Sequence, residues 1–275
     1  SASDFRPLFP TDLPTKEWAN FRAAGFSKPA CGVVYGISDT VTCGMALGGI
    51  DTGCIDLETS GLLGYCTIFN TVVPRRGPLN LPILGMSIGG KTWVLCDKQP
   101  KKGDGPTQIP VEPVFTDLKL DGVQTAKGIH YWGHYPVADV EFETDAPISV
   151  GLRSWSPFLP GDVKDSMIPG IVFEVHLRNG SRSAQAGTLA FSFPGPTKKE
   201  SGSSNFARRK VSGGFNGVCV SAEQARFPMS YAIGIIGEDK LRTGGELGAD
   251  GRSWAAIAKY LPDTLSIAPG ASVAV

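Results

Sequence analysis

Apolar and polar residues alternate with a period of two along several segments of the chain. In IVFEVHLR (171–178) every second residue is apolar, while Glu174, His176 and Arg178 fall between them. ISVGLRSW (148–155) and TLAFSF (188–193) repeat the pattern. Such alternation is typical of strands that pack one face on a core and leave the other in water. The pattern therefore predicts a protein built mainly of β-strands.

Turn residues separate these predicted strands. Asp121-Gly122 lies between VFTDLKL (114–120) and VQTAKGIHYW (123–132), which predicts a two-residue hairpin. Asn179-Gly180-Ser181 matches an N-glycosylation acceptor and also a type I′ hairpin turn. We favour the turn because it explains the strands on both sides. The Ser-, Gly- and Lys-rich stretch from Pro194 to Gly214 is expected to be a surface loop.

Helical spacing is rare in this sequence. TKEWANFRAA (15–24) places Trp18, Phe21 and Ala24 at helical intervals before Gly25, and so predicts a short helix. GRSWAAIAKY (251–260) fits either a helix or a strand. We therefore predict an all-β fold: a large antiparallel β-sandwich of two facing sheets with a short N-terminal helix. Residues 1–30 would form an N-terminal arm and helix, and residues 31–275 the sandwich domain.

Composition narrows the classes of partner. The 275 residues suit one all-β domain, and the 35 glycines and 21 prolines separate short strands. Lysine plus arginine and aspartate plus glutamate number 26 each, which gives no long-range field for nucleic acid. No apolar run approaches the ~20 residues that span a bilayer. We expect no nucleic-acid partner, no transmembrane segment and no cofactor, and the compartment, cytoplasmic or secreted and periplasmic, stays open.

Six cysteines occur without a C-x-x-C pair, so a zinc site is not indicated. Most lie within apolar runs, which favours thiols over disulfides.

Two segments have the composition of functional sites. MALGGIDTGCIDLETSG (45–61) is rich in glycine but lacks a phosphate-binding motif, so we expect a tight strand–turn–strand corner. Asp139, Glu141 and Glu143 would share one face of a strand. Such a trio can bind a cation or supply an acid and a base, although the solvated face of a strand is the more common arrangement.

Several motifs occur together in a fixed order. MALGGIDTGCIDL (45–57) is followed by YCTIFN (65–70) and by YPVADVEFETDAPISVGLRSWSPFLPGDVKDSMIPGIVFEVHLRN (135–179). Together they resemble the N-terminal domain of glycoside hydrolase family 116, the bile-acid β-glucosidase or non-lysosomal glucosylceramidase type. The positions that match the family are Leu47 to Gly53, Phe69-Asn70, Tyr135-Pro136, Glu141, Asp145, Pro147, Ser156-Pro157-Phe158, Pro160, Asp165-Ser166, Pro169, Phe173 and Asn179.

The resemblance implies a domain that packs against a C-terminal (α/α)6 catalytic barrel, in the same chain or a separate one. It implies retaining β-glycoside hydrolysis whose two carboxylates both lie in that barrel. No catalytic residue can then be assigned to this chain, which is expected to be inactive alone and to continue beyond Val275 in the natural protein. Asp51 stands where the family has a small residue.

The resemblance makes the loop from Ser156 to Pro169 a rigid corner that leads into a strand. Asp162 and Asp165 would cap turns or contact a partner domain. The candidate residues for a domain interface or a sugar-facing surface are Asp51, Trp132, Trp155, Phe158, Asp162 and Asp165.

Two alternatives remain open from the residues alone. One is a stand-alone carbohydrate-binding or structural β-sandwich module, because exposed aromatic rings stack on sugars. The other is a self-sufficient hydrolase that uses Asp139, Glu141 or Asp165.

Overall fold

A computed structural model of the chain describes residues 8–9, 19–21, 27–36, 44–67, 79–97, 118–195, 201–203, 205–223, 228–237, 241–244, 247–260 and 265–275. The first ten strands are β1 Ala19–Phe21, β2 Ala30–Gly36, β3 Met45–Leu47, β4 Ile55–Leu57, β5 Leu62–Cys66, β6 Leu81–Pro82, β7 Leu84–Ile88, β8 Lys91–Val94, β9 Gln124–Thr125 and β10 Gly128–His134. The next nine are β11 Val137–Glu143, β12 Ile148–Trp155, β13 Val172–Asn179, β14 Gln185–Phe191, β15 Asn205–Val211, β16 Asn216–Glu223, β17 Met229–Ile235, β18 Leu265–Ile267 and β19 Ser272–Ala274. Three short helices lie wholly within the described residues: α1 Val163–Ser166, α2 Gly251–Ala255 and α3 Ile257–Tyr260.

The described strands form four sheets. The largest has the order β1-β2-β10-β11-β12-β13-β19, and a five-stranded sheet has the order β18-β14-β7-β8-β9. A four-stranded sheet runs β3-β4-β5-β6, and a three-stranded sheet runs β15-β16-β17. All pairs are antiparallel except β8 with β9. The prediction of an all-β sandwich is confirmed.

The main core lies between the seven-stranded sheet and the five- and four-stranded sheets. Strand β12 contributes Ile148, Val150 and Leu152, the face that its alternation predicts. Met86 of β7 and Leu57 of β4 belong to the same cluster. Burial of these side chains is the main stabilising contribution, at roughly 25 cal/mol per Å² of apolar surface removed from water.

A second, smaller core covers the other face of the five-stranded sheet. Trp254 of α2 and Ile257 of α3 are buried there with Val94 and Ala190. Trp254 lies directly over Gly85, where an added Cβ would fall 2.6 Å from the indole ring. The segment 251–260 is thus helical, and strand β14 packs against a core on each face, not on one as its alternation suggested.

Local patterns misled three of our predictions. Ala19–Phe21 forms strand β1, which pairs with β2, so no helix spans residues 15–24. The chain turns at Asp121-Gly122 as predicted, but the segments on either side do not pair as a hairpin. Strand β9 pairs in parallel with β8 instead, and the backbone of Lys119 forms an isolated parallel β-bridge with that of Asp250. The stretch from Pro194 to Gly214 contains strand β15 rather than a continuous loop.

The turn after β13 is also not the predicted type I′ hairpin. Strand β13 belongs to the seven-stranded sheet and β14 to the five-stranded sheet, so the chain crosses between layers here. Asn179 has no positive φ and is fully buried. Its Nδ2 donates to the carbonyl oxygens of Ser183 (2.8 Å) and Ile267 (2.9 Å). The Asn179 amide is therefore a structural bridge at the layer crossing and is inaccessible to a glycan in the folded protein.

Candidate functional site

The glycine-rich motif forms a tight hairpin between β3 and β4, as predicted. Met45 pairs with Leu57 and Leu47 pairs with Ile55. A Cβ on Gly48 would fall 2.0 Å from the carbonyl oxygen of Gly53, so only glycine permits this approach of two backbones. Asp51 occupies the left-handed region at the tip, with φ 59°.

The loop that follows β12 folds around a single helical turn. Asp162 caps α1, because its Oδ1 accepts a hydrogen bond from the backbone N–H of Asp165 at 3.0 Å. The hydroxyl of Ser166 accepts from the N–H of Leu159 (2.8 Å) and donates to its carbonyl oxygen (3.1 Å). These bonds close the loop on itself, so the loop is a rigid corner and Asp162 caps a turn as expected.

The tip of the β3–β4 hairpin and this loop are in direct backbone contact. The N–H of Ile50 donates to the carbonyl oxygen of Ser166 at 2.8 Å. A Cβ on Gly49 would lie 2.3 Å from the carbonyl oxygen of Ile168, so the two backbones touch there as well. Two motifs more than 100 residues apart in the sequence thus form one rigid surface.

This surface exposes a cluster of large apolar side chains. We call it the corner patch, and it consists of Ile50, Tyr135, Phe158, Leu159, Val163, Met167 and Ile168. Val163 is 66% exposed and Leu159 is 51% exposed. The rings of Tyr135 and Phe158 meet edge to face, with centroids 5.4 Å apart. Contiguous apolar surface of this kind marks interaction sites in folded proteins.

Acidic side chains surround the corner patch. Asp51, Asp162 and Asp165 are all exposed, and Lys164 is the one exposed cation on α1. The patch therefore has an apolar centre and a net acidic rim. A partner with an apolar surface and basic or helix N-terminal groups at its edge would complement it.

The three carboxylates of β11 share one face, as predicted, but two of them are not solvated. Asp139 is 1% exposed and binds Arg153 through two bonds, at 2.8 and 2.9 Å. Glu143 contacts His130 Nε2 at 2.7 Å. The expectation of a solvated strand face is wrong for Asp139 and Glu141, because Arg153 pairs with the first and the chain's own N-terminal segment covers the second.

That covering group is Phe9, which fills a socket above Gly151 in the sheet. An added Cβ on Gly151 would fall 2.7 Å from the Phe9 ring. The edge of the ring meets His176 at 4.8 Å between centroids, and the Arg153 guanidinium lies 4.8 Å from the ring centre. The backbone N–H of Phe9 donates to Glu141 Oε1.

The carboxyl group of Glu141 is largely buried. Burial raises the pKa of Glu141, and the N–H of Phe9 opposes this only in part. Asp145 differs, because the indole N–H of Trp93 donates to it at 2.8 Å and lowers its pKa. Asp139, which accepts two hydrogen bonds from Arg153, raises the pKa of the guanidinium. Each of these carboxyl groups thus has a separate structural partner.

The structure divides the six candidate surface residues into two groups. Asp51, Phe158, Asp162 and Asp165 lie together on or beside the corner patch. Trp132 and Trp155 lie instead on the outer face of the seven-stranded sheet, in register with Asp139 and Val137. Trp132 is only 7% exposed. Phe69 and Asn70 lie outside the described residues.

Sequence reasoning missed Phe9 and the exposed residues Leu159, Val163, Met167 and Ile168. The run from Leu159 to Ile168 carries a usable signal, because four apolar residues recur within a loop that is otherwise polar. Phe9 carries none, since its partner Gly151 is more than 100 residues away.

Further properties of the described residues limit the chemistry. Cys54, Cys66, Cys96 and Cys219 are thiols, whereas Cys31 and Cys43 fall where no side chain is described. Within the described part of the chain, no three His, Cys, Asp or Glu side chains are grouped to hold a metal ion. No described helix has the length and apolarity to cross a bilayer.

The fold and the corner together define a β-sandwich domain with a rigid corner that exposes apolar side chains. A family model described as beta-glucosidase 2, glycosyl-hydrolase family 116 N-term, matches residues 44–250. The chain therefore belongs to the family of glycosyl-hydrolase family 116 N-terminal domains. No curated protein matches the chain.

Proposed function

We propose that this chain is the non-catalytic N-terminal β-sandwich of a β-glucosidase-like glycoside hydrolase. Its corner patch packs against an (α/α)6 catalytic domain, in the same chain or a separate one, and holds that domain in its active form. For the whole enzyme the resemblance suggests glucosylceramidase-like activity in carbohydrate metabolism.

The observation that carries this proposal is the corner patch itself. Three segments form it, namely the hairpin tip at Gly49, Tyr135 and the loop from Phe158 to Ile168, and all three come from motifs that resemble the family. A domain that functioned alone would gain nothing from exposing apolar side chains on a rigid support. Interfaces between domains of one enzyme typically bury about 600–1,500 Å², which a seven-residue apolar centre with a polar rim can supply.

The carboxylates support a non-catalytic role. Retaining hydrolysis needs two carboxyl groups about 5–5.5 Å apart that line a pocket. Asp139 and Glu141 are instead buried against Arg153 and Phe9. Asp165 is an exposed residue of α1.

Docking is tested by measuring binding of the chain to a family 116 catalytic domain from the same organism, by titration calorimetry. The double variant Val163→Asp/Met167→Asp places charges in the centre of the patch without touching the core. We expect binding to weaken by more than about tenfold, the effect of ~1.4 kcal/mol. Leu241→Asp/Tyr260→Asp is the matched control, because both residues are exposed apolar side chains elsewhere.

Equal affinities for the two double variants would refute docking through the patch. Hydrolysis of an aryl β-glucoside by the purified chain alone would refute the non-catalytic role. The docking result and the activity result can each fail independently.

A carbohydrate-binding module is the second candidate, and the exposed pair Tyr135 and Phe158 favours it. The two rings are inclined at 65°, so they do not form the flat platform on which a sugar chain stacks. Heat released on titration with gluco-oligosaccharides, and lost in Tyr135→Ala, would establish this alternative.

A further inference from the structure

A cavity of about 420 Å³ opens on the outer face of the seven-stranded sheet. Its lining comes from β11 and β12, from Leu8, from the turn at Thr144 and Ala146, and from the end of β13. Strand β11 begins two residues after Tyr135 of the corner patch and reaches the cavity at Glu143, so the two surfaces lie at opposite ends of that strand. The volume falls within the roughly 300–1,000 Å³ of small-molecule sites.

Four hydrogen-bonding side chains line this cavity, namely Glu141, Glu143, Ser149 and Arg178. Ser149 and Arg178 are direct cross-strand neighbours on β12 and β13, on the face turned away from the core. Glu141 and Glu143 share the same face of β11. Because a carboxylate only accepts, a guanidinium only donates and a hydroxyl does both, the cavity presents acceptors and donors to one ligand.

The carboxylates of the cavity already have partners within the protein. Glu143 contacts His130 Nε2 at 2.7 Å, and Glu141 accepts from the N–H of Phe9. Arg178 lies near enough to Glu141 to stabilise its ionised form. An added anion would face two carboxylates, and an added cation would have to compete with these partners. A carboxylate has about four acceptor positions, so the hydroxyl groups of a neutral ligand can use those that remain.

Apolar side chains border these polar groups. Leu8 and Ala146 line the cavity and are both half-buried. Binding sites for small molecules combine apolar walls with a few polar groups that fix the orientation of the ligand. A pyranose ring presents C–H groups between its hydroxyl groups, so it can contact the apolar walls and bond to the polar groups at once.

We propose that this cavity binds a neutral sugar, a mono- or disaccharide, whose hydroxyl groups donate to Glu141 and Glu143 and accept from Arg178. The site is separate from the corner patch, so sugar binding does not depend on the docking of a catalytic domain. It is also distinct from the exposed ring pair of Tyr135 and Phe158.

Titration of the isotope-labelled chain with D-glucose and with cellobiose, followed by NMR, tests this site. We expect saturable shifts in the amides of residues 141–149 and 178–180, unchanged by about 0.5 M sodium chloride, because a neutral ligand forms no ion pair that salt can screen. Ethylammonium chloride at the same concentrations should shift these amides far less. No saturable shift with either sugar, or a preference for the ammonium ion, would overturn the proposal.

Ser149→Phe places a ring inside the cavity and should weaken sugar binding by more than about tenfold. Gly180→Phe should do the same from the exposed rim, where an added Cβ would meet nothing within 4 Å. Ser230→Phe is the matched control, because it adds the same ring to an exposed serine of β17, outside the cavity.

The control and Tyr135→Ala should both keep the wild-type affinity, and thermal melting followed by circular dichroism should confirm that each variant is folded. Sugar affinity that is lost in Tyr135→Ala would contradict the proposed site. Wild-type affinity in folded Ser149→Phe and Gly180→Phe proteins would contradict it as well.

Discussion

Replacing Asn179 by alanine tests how the two layers of the sandwich are held together. The side chain is fully buried where β13 leaves the seven-stranded sheet. Its Nδ2 donates to carbonyl oxygens of Ser183 and Ile267, and its Oδ1 accepts from the N–H and the hydroxyl of Ser181, at 2.9 and 2.7 Å. Asn179 thus joins the crossing from β13 to β14 with the crossing from β18 to β19.

The expected loss follows from these four hydrogen bonds. A buried hydrogen bond contributes about 1 kcal/mol net, so the four bonds together contribute up to ~4 kcal/mol. Water can replace the bonds to the exposed Ser183 and the half-buried Ser181, but the carbonyl of Ile267 is buried. We therefore expect Asn179→Ala to lower the free energy of unfolding by about 3 kcal/mol, a large part of the 5–15 kcal/mol typical of folded proteins.

Urea unfolding followed by tryptophan fluorescence measures this loss. Asn205→Ala is the matched control, because Asn205 is exposed, and it should change stability by less than about 0.5 kcal/mol. Asn179→Asp should be worse than alanine at neutral pH, since a carboxylate would face two carbonyl oxygens. An Asn179→Ala protein within about 0.5 kcal/mol of wild type would refute the bridging role.

Three further changes test the sheet face and the corner. Phe9→Ala empties the socket above Gly151 and should reduce the free energy of unfolding by roughly 3 kcal/mol in urea titrations, whereas an unchanged midpoint would contradict that packing. Burial raises the pKa of Glu141 above 4.5, so ionisation of this group opposes folding as pH rises through the raised pKa. Glu141→Gln retains an oxygen that can accept a hydrogen bond from the N–H of Phe9. The variant should raise the melting temperature at neutral pH and raise it much less below pH 4.5. An equal rise in melting temperature at the two pH values would contradict this argument. Gly49→Ala should force the hairpin tip away from Ile168 and speed proteolysis of the corner loop, a change that an unaltered digestion pattern would exclude.

Much of the sandwich could be predicted because apolar and polar residues alternate within each strand, a pattern that is visible without knowing the strand's neighbours. The core face of β12 follows directly from the spacing of Ile148, Val150 and Leu152. The tight hairpin at Gly48 and the cap at Asp162 are equally local, since each depends on residues within a few positions. The division into an N-terminal arm (1–30) and a sandwich (31–275) stays a prediction.

The failures share one cause, which is that distant residues decided the local structure. Ala19–Phe21 has helical spacing around it but is held as a strand by pairing with β2. Asn179-Gly180 has the composition of a hairpin turn, yet Asn179 is fixed by the carbonyl of Ile267, far along the chain. Neither the spacing of apolar residues nor any motif around Asn179 predicts its contact with Ile267.

The face of β11 shows the same limit for candidate sites. Spacing alone put Asp139, Glu141 and Glu143 on one side, but it could not show that Arg153 pairs with the first and Phe9 covers the second. Two members of a trio that resembles a reactive or metal-binding surface are therefore part of the packing. The resemblance to family 116 was a better guide, because its ordered motifs include the two segments that meet at the corner.

Hydrogen–deuterium exchange of the chain with and without a family 116 catalytic domain tests the docking account most directly. We predict slower exchange in peptides that cover residues 49–53 and 158–168, and little change across the outer face of β11 and β13. Protection confined to that outer face, or no protection of the corner at concentrations where the two proteins are bound, would contradict the account.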